Sequence, residues 1–234
     1  MTPPKPALSW LQRCAHAHQR GLRMFAAWPV AVQGMVWMVL GGLLFSFLNA
    51  IARDLTLHLD VYQSQFLRYL FGLLFILPWV WRDGWRAYMP VNMVGQFWRG
   101  GVHTLGLILW FTALPKIPLL ASSPVFAASF LITKALTRYE KAGVIVLWQA
   151  LTVTVLSLPM ALPNWQAPTL MQWIGFAATG VLGTLAHYCL TRAFGLADIS
   201  ATQSLRFLDL VWASLLGWLV YGDVPSQWTW AGAL

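Results

Sequence analysis

Few side chains in this sequence could do chemistry, and those few interrupt long apolar stretches. Arg206 and Asp209 stand three apart, on neighbouring sites of one helical face. They suit either a structural ion pair or a substrate-facing, proton-coupled one. Arg68 sits about one turn inside another stretch, where a long side chain either snorkels to the interface or meets an acidic group of a solute. Gly42, Ser46, Asn49 and Arg53 recur every three or four residues and so share a helical face, as do Gly100, His103 and Thr104, and again Gly175, Thr179, Gly183 and His187. Stripes of this kind serve close helix packing. The alternative is that Asn49, His103 and His187 project into a central cavity and hydrogen-bond a solute, the two histidines permitting proton coupling near neutral pH. A charge at the centre of a bilayer costs about 2.5 to 3.5 kcal/mol, so each one needs a partner or a wet cavity. No nucleophile elbow, phosphate loop or zinc-type cluster is present. Cys14 and Cys189 give neither a disulfide framework nor metal-ligand spacing. No catalytic residue, metal or cofactor is expected, and an integral membrane enzyme using His103, His187 and Asp209 has the least support.

The elements that would position these residues follow from composition. Of 234 residues 59% are hydrophobic and 9% charged, whereas a soluble domain carries about 25% charged residues. Apolar runs long enough to cross a hydrocarbon core recur, and strand-type alternation is absent from them, which leaves a polytopic helical bundle. Spans are expected near residues 35 to 52, 63 to 81, 99 to 115, 118 to 134, 143 to 162, 171 to 191 and 200 to 221, with Trp228 to Leu234 opening another. Twelve Lys and Arg, from Lys5 to Arg206 and including Arg82, Arg86, Arg99, Lys134 and Arg138, fall on one side. Arg53 and Lys116 fall on the other. The N-terminus is therefore expected in the cytoplasm, and the chain in a bacterial inner membrane. Residues 1–34 read as a basic tail, either disordered or lying on the membrane face as an interfacial helix. The net charge of +8 is spread between spans rather than along one face, which argues against nucleic acid as a partner and for membrane lipid.

The two halves resemble each other. A shift of 81 lays Phe45 on Phe126, Arg53 on Lys134 and Leu77-Pro78 on Leu158-Pro159, and sets Gln149 at the place of Arg68. A shift of 80 pairs Gly100 with Gly180, Thr104 with Thr184 and Ala113 with Ala193. Weak internal duplication is the usual sequence trace of a transporter built from repeats. The second copy runs 41 residues past Ala193, but the first only 12 past Ala113 before Phe126 opens the next, so at least 29 residues are expected to be absent from the first. Loss of two helices would leave the direction of all later ones unchanged.

Gln65-Phe66-Leu67-Arg68-Tyr69, Arg99-Gly100-Gly101 through Pro118, and Ala193 through Asp198 to Tyr221-Gly222-Asp223-Val224-Pro225 and Ala233 resemble EamA-type members of the drug/metabolite transporter superfamily. Within it, Ser204 to Leu210 is similar to S-adenosylmethionine and riboflavin transporters. The resemblance implies ten helices in two inverted five-helix repeats around a substrate cavity worked by alternating access. Here 35–124 would be a truncated first repeat, lacking helix five and part of helix four, and 125–234 a second repeat lacking most of its last helix. The expected function is secondary transport of a small amphipathic metabolite or drug. Its candidate solute-binding residues are Asn49, Arg68, His103, Thr104, Gln149, His187, Arg206 and Asp209, and a homodimer is a candidate arrangement. The alternative is a shortened, non-transporting membrane protein or assembly partner.

Overall fold

Where no water is available to backbone groups, an apolar chain satisfies them by local helical bonds. The computed structural model describes residues 23–113 and 123–222. Among these, helix α1 spans Val30–His58, α2 Val61–Asp83, α3 Met93–Ala113, α4 Ser123–Leu136, α5 Ala142–Ala161, α6 Leu170–Leu196, α7 Ile199–Ser204 and α8 Phe207–Tyr221. A 3-10 turn over Trp85–Tyr88 joins α2 to α3. There is no strand among the described residues, so the all-α expectation holds. Five segments are long and apolar enough to cross a membrane: α1, α2, α5, α6 and the α7–α8 pair. The expected interfacial helix lies largely outside the described residues, as do Lys116, Asp223 and the segment from Trp228.

Caps fix the boundaries, and several depart from expectation: α1 runs over Val30–His58 rather than from 35 to 52. The third span begins near residue 93 rather than 99, because Asn92 takes the first turn in hand: its Oδ1 accepts from Gly95 N at 2.8 Å and its carbonyl from Gln96 N at 3.1 Å. That shift carries Arg99 off the interface and into the second turn of α3. The seventh span is broken at Leu205–Arg206. Arg206 folds back there to Asp209, which occupies the first turn of α8, where the helix dipole favours a carboxylate. Elsewhere Asp60 caps α2 by accepting from Tyr62 N and Gln63 N, Thr169 and Gln172 form a capping box on α6, and Gly84 ends α2 at a φ of 84° that a side chain would strain.

Residue pairs at the loops order the bundle. Gln63 meets Gln166 at one end, while Asn92 N donates to Glu140 and Trp148 donates to the Tyr88 carbonyl at the other. Hence α1, α3, α5 and α8 run one way and α2, α4 and α6 the opposite way. In space α1 packs on α6, α6 on α2, α2 on α5, α5 on α3 and α3 on α4, with α8 lying along α1. Small residues allow the closest crossings: a Cβ on Gly180 would lie 2.7 Å from the Gly72 backbone nitrogen, and one on Gly34 2.7 Å from the Ala197 Cβ.

The distribution of polarity is inverted relative to a soluble protein. Trp81, Leu170 and Met171 are exposed, whereas Gln63, Gln96, Arg99 and Gln149 are buried. Most buried hydroxyls bond back to a carbonyl one turn earlier, as Ser46 does to Gly42, Thr152 to Trp148, Ser157 to Val153 and Thr191 to His187, so they add no unpaired group to the interior.

Candidate functional site

Five side chains, one from each of five helices, form a connected polar chain at the middle of the bundle. Ser129 Oγ on α4 lies 3.3 Å from His103 Nδ1 on α3, whose Nε2 lies 2.9 Å from the Tyr69 hydroxyl on α2. That hydroxyl is 3.4 Å from His187 Nε2 on α6, and the Gln149 amide on α5 reaches the same nitrogen at 3.4 Å. The imidazoles stand edge to face with centroids 5.3 Å apart, and each has a phenylalanine against it, Phe45 at 5.0 Å from His187 and Phe126 at 5.6 Å from His103. With the Gln149 nitrogen donating, His187 Nε2 accepts, and a neutral ring then carries its proton on Nδ1. His187 Nδ1 and Gln149 Oε1 are both buried and have no partner among the described residues. Together they offer one donor and one acceptor, and leaving such atoms unpaired costs about 1 to 3 kcal/mol each.

Three cavities line up on this centre. At the Asp83 end of the bundle α2, α5 and α6 splay around a vestibule of about 680 Å³, lined among others by Tyr88, Glu140, Lys141, Thr184 and Arg192. Val146 and Thr184 on its floor also line a narrow cavity bounded by Arg68, Tyr69, Gln149 and His187. Arg68 in turn borders a third cavity among Thr56, Ser64, Gln65 and Thr179, toward the opposite end. There the bundle is shut. Gln63 Nε2 donates to the Gln166 carbonyl at 2.6 Å, Gln166 N donates back to Gln63 Oε1 at 2.9 Å, and Phe66 stacks edge-on to Trp165.

Two arginines give this interior its charge. Arg68 lays its guanidinium 4.7 Å from the Tyr69 ring centroid. Arg99, 2% exposed, donates from Nε to Thr133 Oγ1 at 2.6 Å and from Nη1 to the Ile145 carbonyl at 3.1 Å. Neither the Arg82–Asp83 nor the Arg206–Asp209 ion pair engages these arginines. Lys134 is likewise drawn inside, donating to the Phe194 and Ala197 carbonyls at the end of α6.

Of the expected residues, the structure brings Arg68, His103, Gln149 and His187 together. Thr104 is buried beside them but bonds back to the Gly100 carbonyl at 2.8 Å. Asn49 is exposed on α1 and does not reach the cavities, because the stripe it belongs to buries only its Gly42 and Ser46 portion. Arg206 and Asp209 pair with each other at 3.3 Å, half-exposed, with Asp209 packed on Gly42 and Arg206 over the Phe130 ring. Tyr69, Arg99 and Ser129 are additions. Arg99 was readable: Gln96, Arg99, His103 and Leu107 repeat every three or four residues, and all are buried.

A helical bundle with exposed apolar flanks, several spans and an enclosed polar path defines an integral membrane protein of the transporter class. Residues 117–234 match the EamA-like transporter family, and the chain belongs to that family, which is one of transporters rather than enzymes. It is 28% identical over 265 residues to a riboflavin transporter of Rhizobium johnstonii, covering 87% of this chain and 88% of that one. It is 25% identical over 266 residues to a riboflavin transporter of Vibrio cholerae, covering 86% and 89%. With an S-adenosylmethionine uptake transporter of Rickettsia bellii identity is 28% over 109 residues, 47% of this chain and 38% of that one. Since 87% of 234 residues is about 204, about 61 positions of the Rhizobium alignment have no counterpart in this chain. No solved structure matches.

Proposed function

We propose that the chain is a secondary transporter of the bacterial inner membrane that carries a small organic metabolite along the three aligned cavities, binding it at Gln149 and His187. The observation that carries this is the convergence of a wide vestibule on two buried, unpartnered polar atoms. The names of the relatives make riboflavin and S-adenosylmethionine the first solutes to try. Orientation rests on charge: Arg82, Arg86, Arg138, Lys141 and Arg192 gather at the vestibule end, against Arg53 at the other, so the vestibule and the N-terminus face the cytoplasm.

We also propose that α1 to α3 and α4 to α6 descend from one repeat, divided near residue 124. Supporting this, α1, α2 and α3 each run opposite to α4, α5 and α6 respectively, and Pro78 and Pro159 sit near the ends of α2 and α5. Phe45 against His187 on one side answers Phe126 against His103 on the other. The α8 helix lies along α1, which also packs on α6, whereas the described partners of α4 are chiefly α3 and, to a lesser extent, α6. No described helix thus holds on α4 the place that α8 holds on α1, consistent with helices missing from the first repeat and with the unmatched alignment positions. The apolar side of α4 that stays exposed at Leu131 favours a second reading, in which the chain works only inside an assembly, a homodimer included.

Counterflow in proteoliposomes tests the first reading. Wild-type vesicles should accumulate labelled riboflavin or S-adenosylmethionine, and Gln149→Leu combined with His187→Phe should lower the rate about ten-fold or more, since two buried hydrogen bonds of about 0.5 to 1.5 kcal/mol are lost. Flux equal to that of the double variant across a broad solute panel would sink it. Activity confined to nanodiscs holding two copies would move the conclusion to the second.

A further inference from the structure

Arg68 is the feature of this interior that the hydrogen-bonded chain does not use. It is a permanent charge part-way along a membrane-spanning helix, and its guanidinium faces the Tyr69 ring rather than the membrane surface. It borders both inner cavities, so a solute in either one meets it. On one side of it are the unpartnered Gln149 Oε1 and His187 Nδ1. On the other are Gln65, 3% exposed with neither amide atom partnered, and the unpartnered Ser64 Oγ. The carboxylates on α1, α2 and α8 are engaged or turned outward: Asp54 is exposed and Asp83 pairs with Arg82. Asp60 caps α2, and Asp209 is engaged by Arg206. Arg99 adds a second buried cation one turn from His103, its partners among the described residues being Thr133 and the Ile145 carbonyl rather than a carboxylate. A guanidinium lying over a phenol ring still has N–H groups to offer a planar two-oxygen acceptor.

Resting on the reading of these cavities as a solute path, we propose that the transported solute bears an anionic group, a carboxylate or phosphate, held by Arg68 with Gln65 and Ser64, while its polar ring edge meets Gln149 and His187. The neutral remainder of the molecule would then lie against Tyr69 and Thr184. The solute supplies the countercharge that the described residues do not place beside Arg68, which gives the cavity a reason to hold a cation. It also separates this chain from a carrier tuned to an uncharged vitamin: a solute without the anion leaves the guanidinium unpaired in a narrow, largely apolar space.

Matched pairs of probes test the charge alone. Purified protein in phosphatidylcholine nanodiscs is titrated with riboflavin against riboflavin 5′-phosphate, and with decarboxylated S-adenosylmethionine against S-adenosylmethionine itself. In at least one pair the anionic member should bind about ten-fold or more tightly, the range of a charge-assisted hydrogen bond lost. Arg68→Gln should reduce that preference to about two-fold or less, and Arg68→Lys, which keeps the charge, should retain most of it while reporting that the site still folds. Equal binding within both pairs, or a preference that survives Arg68→Gln, overturns the inference and leaves the transport reading standing. Failure of all four probes to bind, together with absent counterflow, removes both. Loss of the preference when anionic phosphatidylglycerol is added would assign Arg68 to a lipid headgroup and overturn it as well.

Discussion

Arg99 tests what a buried cation is for. If it served mainly to bind helices together, removing it would strand its partners. Here it would not, because Thr133 Oγ1 keeps its 2.7 Å bond to the Ser129 carbonyl, and the Ile145 carbonyl lies inside α5 with a helical donor of its own. Arg99→Met, which fills most of the volume, should therefore change thermal stability in detergent by no more than about 1 kcal/mol, yet lower counterflow at least about ten-fold. A large drop in melting temperature would instead make Arg99 a structural clamp. Asn49→Ala and Thr104→Val should each leave transport within about two-fold, since one side chain is exposed and the other is satisfied within its own helix. The same contrast shows how far the site was legible. Polar residues in apolar helices are visible in sequence, and so Arg68, His103, Gln149 and His187 could be found. The same signal equally selected Asn49, Arg206 and Asp209, because a helical stripe says which residues share a face but not which face turns inward. Tyr69 and Ser129 carry no such signal; only the packing of α2 and α4 against α3 gives them their role.

Among the helices, legibility depended on whether length or capping sets the boundary. The existence of α1, α2, α5 and α6 follows from runs of apolar residues alone, though α1 extends five residues before and six after its expected span. The start of α3 was missed by about six residues because a single Asn92 cap, not hydropathy, decides it, and the break before α8 because an arginine folds back on an aspartate. The crossing of α2 and α6 makes the corresponding prediction. An added methyl at Gly180 would sit 2.6 Å from the Phe71 Cβ and 2.7 Å from the Gly72 nitrogen, both parts of the neighbouring backbone or its first carbon, which cannot swing aside. Gly180→Ala should destabilise by about 1 to 3 kcal/mol through overpacking. Gly101→Ala, where nothing lies within 4 Å, should be neutral or stabilising by up to about 1 kcal/mol, because alanine loses less backbone freedom in a helix. Melting curves of the two variants in the same detergent decide it, and equal losses would mean that the crossing is looser than drawn.

The bundle as a unit is wide at one end and locked at the other, and alternating access requires that the lock open. The lock is small: two hydrogen bonds between the Gln63 amide and the Gln166 backbone, one weak contact at 3.5 Å from Asn164 to Asp60, and the Phe66–Trp165 ring pair. Two net hydrogen bonds amount to about 1 to 3 kcal/mol, enough to shift a two-state equilibrium roughly 5- to 100-fold. Gln63→Leu keeps the volume of the side chain and removes both bonds, so it should raise the population open at that end. Ser64 lies beneath the lock and is buried, whereas Thr184 lies on the vestibule floor. In a Cys14→Ser, Cys189→Ala background, Ser64→Cys should react faster with a polar maleimide once Gln63→Leu is added, and Thr184→Cys should react more slowly. A lock that merely stiffens a loop would leave Thr184→Cys unchanged, because the two ends would then not be coupled. Opposite shifts at the two cysteines, one beneath the lock and the other on the vestibule floor of the same bundle, are what a rocking mechanism demands.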